Sequence, residues 1–130
     1  MRARRILLLG LGAIVGAACK KETPAGPEAG DLTVSYTGPS QTDGALLLLV
    51  QGGPHTSVRA AGGQQVASAS AGINITRVVV TGDLVPGDIL RLSVPDVAAV
   101  ASYSVRVEAA ADRTTFALAD PSSYTTTVRR

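Results

Sequence analysis

Residues 73–81 read INITRVVVT. Seven of the nine are β-branched. Such side chains are stiff at χ1 and pack well on a pleated surface, so this is the strongest strand signal in the chain. Downstream, TGDLVPGD (81–88) reads as a connection, with Pro86-Gly87 carrying type II turn chemistry. ILRLSV (89–94) alternates, which predicts Leu90, Leu92 and Val94 facing inward and Ile89, Arg91 and Ser93 on the other side. Pro95 closes that strand. DVAAVAS (96–102) has an aspartate cap and then Val97, Val100 and Ala101 at spacings of three and four, which predicts one or two helical turns. YSVRVEA (103–109) alternates again, with Tyr103, Val105 and Val107 inward. TTFALA (114–119) and YTTTV (124–128) read as the last strands, joined through Asp112-Arg113 and ADPSS (119–123).

Upstream, LTVSYT (32–37) alternates, and ALLLLV (45–50) is continuously apolar. A continuous run predicts burial on both faces, or one face covered by a loop. Thr56 to Ala60 and Gln65 to Ala69 are weaker strands between the glycine pairs Gly52-Gly53 and Gly62-Gly63. The sum is an all-β chain: a single small β-sandwich of seven to nine mostly antiparallel strands, with turn signals about every 8–12 residues and a short helical turn near 96–102. Phe116 is the only phenylalanine and tryptophan is absent, so Val, Leu, Ile and Ala must build the core.

The first 22 residues are of another kind. MRARR is followed by the apolar run Ile6 to Val15, by Gly16-Ala17-Ala18, and by Cys19 before KKE. The apolar run is the length of a secretory signal and too short to span a bilayer as a helix. The segment resembles the bacterial lipoprotein-processing pattern, in which a diacylglycerol is attached to the cysteine thiol and the chain is cut just before it. Gly16 stands where that pattern prefers leucine. The resemblance implies that 1–18 is a signal peptide, 19–30 a lipid-anchored flexible tether and 31–130 the β-sandwich domain. It also implies lipidation at Cys19, a membrane-lipid partner, and a place in the cell envelope. Lys20 after the cysteine, where aspartate would signal otherwise, resembles the outer-membrane default. Cys19 is the only cysteine, so no intramolecular disulfide forms.

The formal charge of +2 belongs to the leader. Without residues 1–18, nine basic residues face ten acidic ones, a net charge of −1. No basic cluster is interleaved with aromatics, which excludes the electrostatic footprint of a nucleic-acid binder. KKETPAGPEAG (20–30) has two prolines, two glycines and no large apolar residue, as a tether requires.

Two resemblances touch the domain. ASYSVRV (101–107) resembles the sixth strand of the immunoglobulin/fibronectin type III family, where a tyrosine caps a corner, although the cysteines and core tryptophan are missing. Ile73 to Val94, with its β-rich strand, loop and GDIL strand, resembles cohesin-type sandwiches. That likeness implies a scaffold or adhesion module that binds an envelope protein partner.

Candidate chemistry is sparse. His55 is the only histidine; it would serve a small hydrolase or ligand carrier if it shared a concave pocket with two of Asp43, Asp83, Asp88 and Asp96. Those carboxylates and Asn74 are the oxygen donors that calcium would use, but the spacing of a calcium loop is absent. One histidine and one cysteine cannot make a structural zinc site. The threonine-rich 125–127 stretch is a candidate sheet edge for pairing with another chain. The expectation is therefore a non-catalytic envelope lipoprotein with a structural or binding β-domain, no cofactor, no metal and no catalytic residue.

Overall fold

A computed structural model describes residues 26–130; the expected signal segment, Cys19 and the part of the expected tether through residue 25 lie outside the described residues. The strands are β1 (Gly30–Thr37), β2 (Asp43–Gln51), β3 (Ser57–Ala60), β4 (Gln65–Gly72), β5 (Ile75–Leu84), β6 (Gly87–Val94), β7 (Ser104–Asp112), β8 (Leu118–Ala119) and β9 (Thr125–Arg129). They form two antiparallel sheets, of order β3-β6-β1-β9 and β4-β5-β2-β7-β8. The fold is an all-β sandwich. A 3₁₀ turn over Val97–Ser102 is capped by the Asp96 carboxylate, as the spacing there predicts. Only β4–β5 and β7–β8 join sequence neighbours within one sheet. Every other connection crosses to the opposite sheet, so the inward residues of successive strands face one another.

Leu32, Val34 and Tyr36 of β1 and Leu90 and Leu92 of β6 pack against Leu46, Leu48 and Val50 of β2 and Val78 and Val80 of β5. The continuous apolarity of β2 is explained by its place at the centre of the five-stranded sheet. Leu46, Leu48 and Val50 fill the core, while Leu47 and Leu49 lie on the outer face. Leu49 is nonetheless only 6% exposed. Its in-register neighbours are Arg77 and Arg106, and side chains of that type cover apolar surface with their aliphatic stems.

Four local readings are corrected. The valine-rich strand begins at Ile75, because Ile73-Asn74 is the two-residue loop of the β4–β5 hairpin. Such a loop needs a positive φ, and Asn74 supplies it at 54°. The same strand runs on to Leu84, so Val85-Pro86 alone crosses to the other sheet. Ile89 does not face outward with Arg91. The β1–β6 register shifts between Val34 and Ser35, and this bulge turns both Ile89 and Leu90 into the core. Thr114 to Phe116 is a turn that leaves β8 only two residues, because Asp112 Oδ1 accepts from the backbone N–H groups of Thr114 and Thr115 at 2.8 and 2.9 Å.

One polar cluster is buried near the Asp43 end of the core. Tyr124 donates to Asp43 Oδ1 at 2.8 Å, and its ring stacks on Tyr36 at 6.2 Å between centroids. Asp43 Oδ2 and the Tyr36 hydroxyl have no protein partner. Gly38 lies against the Tyr124 ring: a Cβ there would come within 2.5 Å of it.

Because Asp43 is buried, removing its donor leaves a desolvated carboxylate. Tyr124→Phe should therefore cost about 1–3 kcal/mol, read as a lower urea midpoint at unchanged m-value. Burial, aided by Asp43, pushes the Tyr36 phenol up to about 12, and burial with the Asp43 hydrogen bond raises Tyr124 as well. The folded state thus holds these protons after the unfolded chain has lost them near about pH 10. Stability should be fully present below that pH and should fall between about pH 10 and about pH 12, checked by urea unfolding on both sides of that window.

Candidate functional site

The two outer faces of the sandwich are chemically unlike. On the four-stranded sheet, alternation places Asp31, Thr33 and Ser35 beside Ser93, Arg91 and Asp88. Arg59 donates to Asp31 at 2.5 Å, Ser93 donates to the other Asp31 oxygen at 3.0 Å, and Arg129 contacts both Asp88 oxygens at 2.9 and 2.7 Å. These partners hold both carboxyls below their ordinary range: the Arg59 and then Ser93 bonds at Asp31, the Arg129 bond at Asp88. Thr127 and Ser35 exchange a hydroxyl bond at 2.8 Å on the same face.

The outer face of the five-stranded sheet carries two nearly charge-free rows. One runs Ala67, Val79, Leu47, Ala109, and the next runs Thr81, Ala45, Ala111, Leu118. Val79 is 41% exposed and Leu118 80%. At the end of these rows stands Phe116, 78% exposed and held at φ +59°. A bulky residue in the left-handed region is uncommon. Asp112 enforces the turn: besides the two backbone bonds above, its Oδ2 accepts from the Thr42 hydroxyl at 2.7 Å, and its carbonyl accepts from Phe116 N at 3.1 Å. The Thr115 N–H, followed by the Thr42 hydroxyl and the Thr114 N–H, holds the Asp112 carboxyl far below the usual range. Phe116, Ala45, Ala111, Gly82 and the Arg113–Asp83 pair (3.1 Å) border an open cavity of about 420 Å³, continuous with the apolar rows through Ala45 and Ala111.

The sequence-derived candidates do not converge. His55 lies on the β2–β3 loop, half-buried, with Nε2 2.9 Å from Thr76 Oγ1 and Nδ1 buried without a partner. Asp43, Asp83 and Asp88 lie at the opposite end of the strands, as the pairing of Asp43 with Leu84 and of Asp88 with Ser35 requires. Asp96 shares the His55 end, where its carboxylate caps Ala98 N at 3.0 Å and reaches Glu28 N at 3.4 Å. Asn74 occupies its hairpin loop. Among the described residues no group of three or more His, Cys, Asp and Glu is placed to hold a metal ion. β9, with Thr125 to Thr127, is an edge strand; Thr125 and Thr127 are exposed, while the Thr126 hydroxyl donates across to the Val105 carbonyl of the other sheet. Cys19 lies outside the described residues.

Compared with protein-family models, with curated proteins and with solved structures, the chain gives no match.

The apolar face was not singled out from sequence, although two signals pointed to it. ALLLLV is apolar on both alternations, and Ala109-Ala110-Ala111 lies in a strand beside it. Among the described residues no element covers that face, and its outward side chains Val79 and Leu118 are exposed. An aromatic held at positive φ and mostly in water contributes little to folding. Phe116→Gly removes a left-handed cost of about 1–2 kcal/mol against a chain-entropy cost of about 0.5–1. The thermal midpoint should therefore shift by the equivalent of less than about 1 kcal/mol, where truncating a core phenylalanine costs about 3–5.

Proposed function

We propose that this chain is an envelope lipoprotein, acylated at Cys19 and held at the outer membrane, whose sandwich is a non-catalytic binding module. Its docking face is the outer surface of the five-stranded sheet, and its partner is an envelope protein. The contrast between the two outer faces carries this reading. One is polar and internally paired; the other, beside its Arg77–Glu108 pair, carries two adjoining apolar rows capped by an exposed phenylalanine that the fold does not need for its core. Exposed apolar patches rimmed by polar residues mark interaction sites, and aromatics are over-represented among residues that dominate binding. The paired or capping roles of Asp31, Asp83, Asp88, Asp96 and Asp112 support the non-catalytic part, as does the separation of His55 from all of them except Asp31 and Asp96. The near-neutral domain supports a partner other than nucleic acid. The signal pattern around Cys19 supports the anchor; no helix among the described residues is long and apolar enough to cross a membrane.

Two arms test this. Cys19→Ala should move the protein from the membrane fraction to the soluble fraction with the β-domain still folded by circular dichroism. Retention in the membrane would sink the lipoprotein assignment. Capture from envelope extracts should then be compared between the wild-type chain and a Val79→Glu/Phe116→Ser variant. Loss of a captured protein by about tenfold or more, 1.4 kcal/mol, is the expected result. Equal capture of every protein by both forms would remove this face from consideration.

A further inference from the structure

The end of the sandwich where the chain enters has its own apolar feature. Ile73, at the tip of the β4–β5 hairpin, is 92% exposed, the highest value among the exposed large apolar side chains of the described residues. The loop takes its positive φ from Asn74, so its backbone does not call for an isoleucine at position 73. Turn preferences favour Gly, Asn, Asp or Ser there. The chain around it is also unusual: between Arg59 and Arg77 there is no charged residue.

Register and hydrogen bonds place this tip beside the chain's entry. Ile75 pairs with Gln51, and Gln51 pairs with Ser104. Gly52 lies directly on the Ser102 carbonyl, at the close of the 3₁₀ turn whose first residue, Val97, donates its N–H to the Glu28 carbonyl at 2.8 Å. Arg130 reaches Glu28 at the same end, at 4.0 Å. Phe116 and Val85 lie at the far end of the strands, roughly 30 Å away for strands of this length.

We infer that the entry end of the sandwich is a second membrane contact, with Ile73 seated in the headgroup layer of the bilayer that anchors Cys19. This rests on the acylation of Cys19 proposed above. The length of chain between the two points decides the geometry. Glu28 is nine residues from Cys19, so the chain between them spans at most about 30 Å. The entry end is thus held at the lipid surface, and the Phe116 end is turned away from it. The charge-free hairpin brings no ion to desolvate on contact. Asn74 and Ser70 supply polar groups at the depth where headgroups and water mix. Arg130 at the same end favours anionic lipid. A second attachment slows release from the membrane further, because it binds at the high effective concentration that the anchor sets. This arrangement also leaves the apolar sheet face clear of the membrane for its partner.

The test uses full-length chains purified from membranes and placed in vesicles of phosphatidylethanolamine and phosphatidylglycerol. In Ile73→Cys and Val85→Cys variants, acylation of Cys19 leaves one reactive thiol, which takes an environment-sensitive dye. The dye at position 73 should be blue-shifted and quenched several-fold more by spin-labelled lipid than the dye at position 85. Equal quenching at both positions overturns the contact. Transfer of unlabelled protein between vesicles gives a dye-free measure: Ile73→Asp should transfer several-fold faster than wild type, and an unchanged rate overturns the contact whatever the dyes report. Two reactive thiols per labelled chain, with the protein washing off the vesicles, would instead overturn the acylation and this inference with it. One thiol and a firm anchor with equal dyes would leave the anchor standing and remove only the Ile73 contact.

Discussion

Everything in this domain depends on β2 being buried at the middle of its sheet. Leu46, Leu48 and Val50 are almost wholly out of water and meet the inward rows of both sheets. With one phenylalanine, and that one exposed, the core has few large aromatic side chains to fill it. Close interdigitation of aliphatic side chains must supply the hydrophobic term. β2 is the strand through which β5 and β7 are joined. Its pairings to both shift register between Asp43 and Ala45, at the point where the Asp43 carboxylate turns inward to Tyr124. The aliphatic layer and the buried Asp43–Tyr124 cluster therefore meet on a single strand.

That placement has a consequence on the far side of the same strand. A central strand in a sheet with no covering helix can be sealed on one face only. Leu49 lies in register between two arginines, but Leu47 does not. The apolar rows and Phe116 follow from this one-sidedness, whereas the four-stranded sheet turns its outward positions to ion pairs and hydroxyls.

Period-two alternation made most of the fold legible. It identified the inward residues of β1 and β7 because their side-chain rows are either apolar or polar without exception over the readable span. It failed wherever a residue left the two-fold pattern. Ile89 went astray because a bulge inserts an extra residue, and no local signal distinguishes a bulged isoleucine from an outward one. Ile73 was read into a strand because its β-branched composition is that of a strand, while the turn was decided by the pairing of Gly72 with Ile75 across it. Phe116 was read as strand because the hydrogen bonds that bend its backbone come from Asp112.

The sequence by itself determined that the domain is all-β, that it has an aliphatic core, and that the first 18 residues, basic and then apolar, differ in composition from the rest of the chain. These are properties of composition and of short-range periodicity. Only the tertiary structure decided which outer face is polar and which apolar, that Asp43 is buried against Tyr124, and that Ile73 shares an end with the chain's entry. Each of these depends on pairings between residues far apart in the chain, such as Tyr124 with Asp43 or Gln51 with Ile75. Such pairings are set by which strands lie beside which, and that order is a property of the whole packed sandwich.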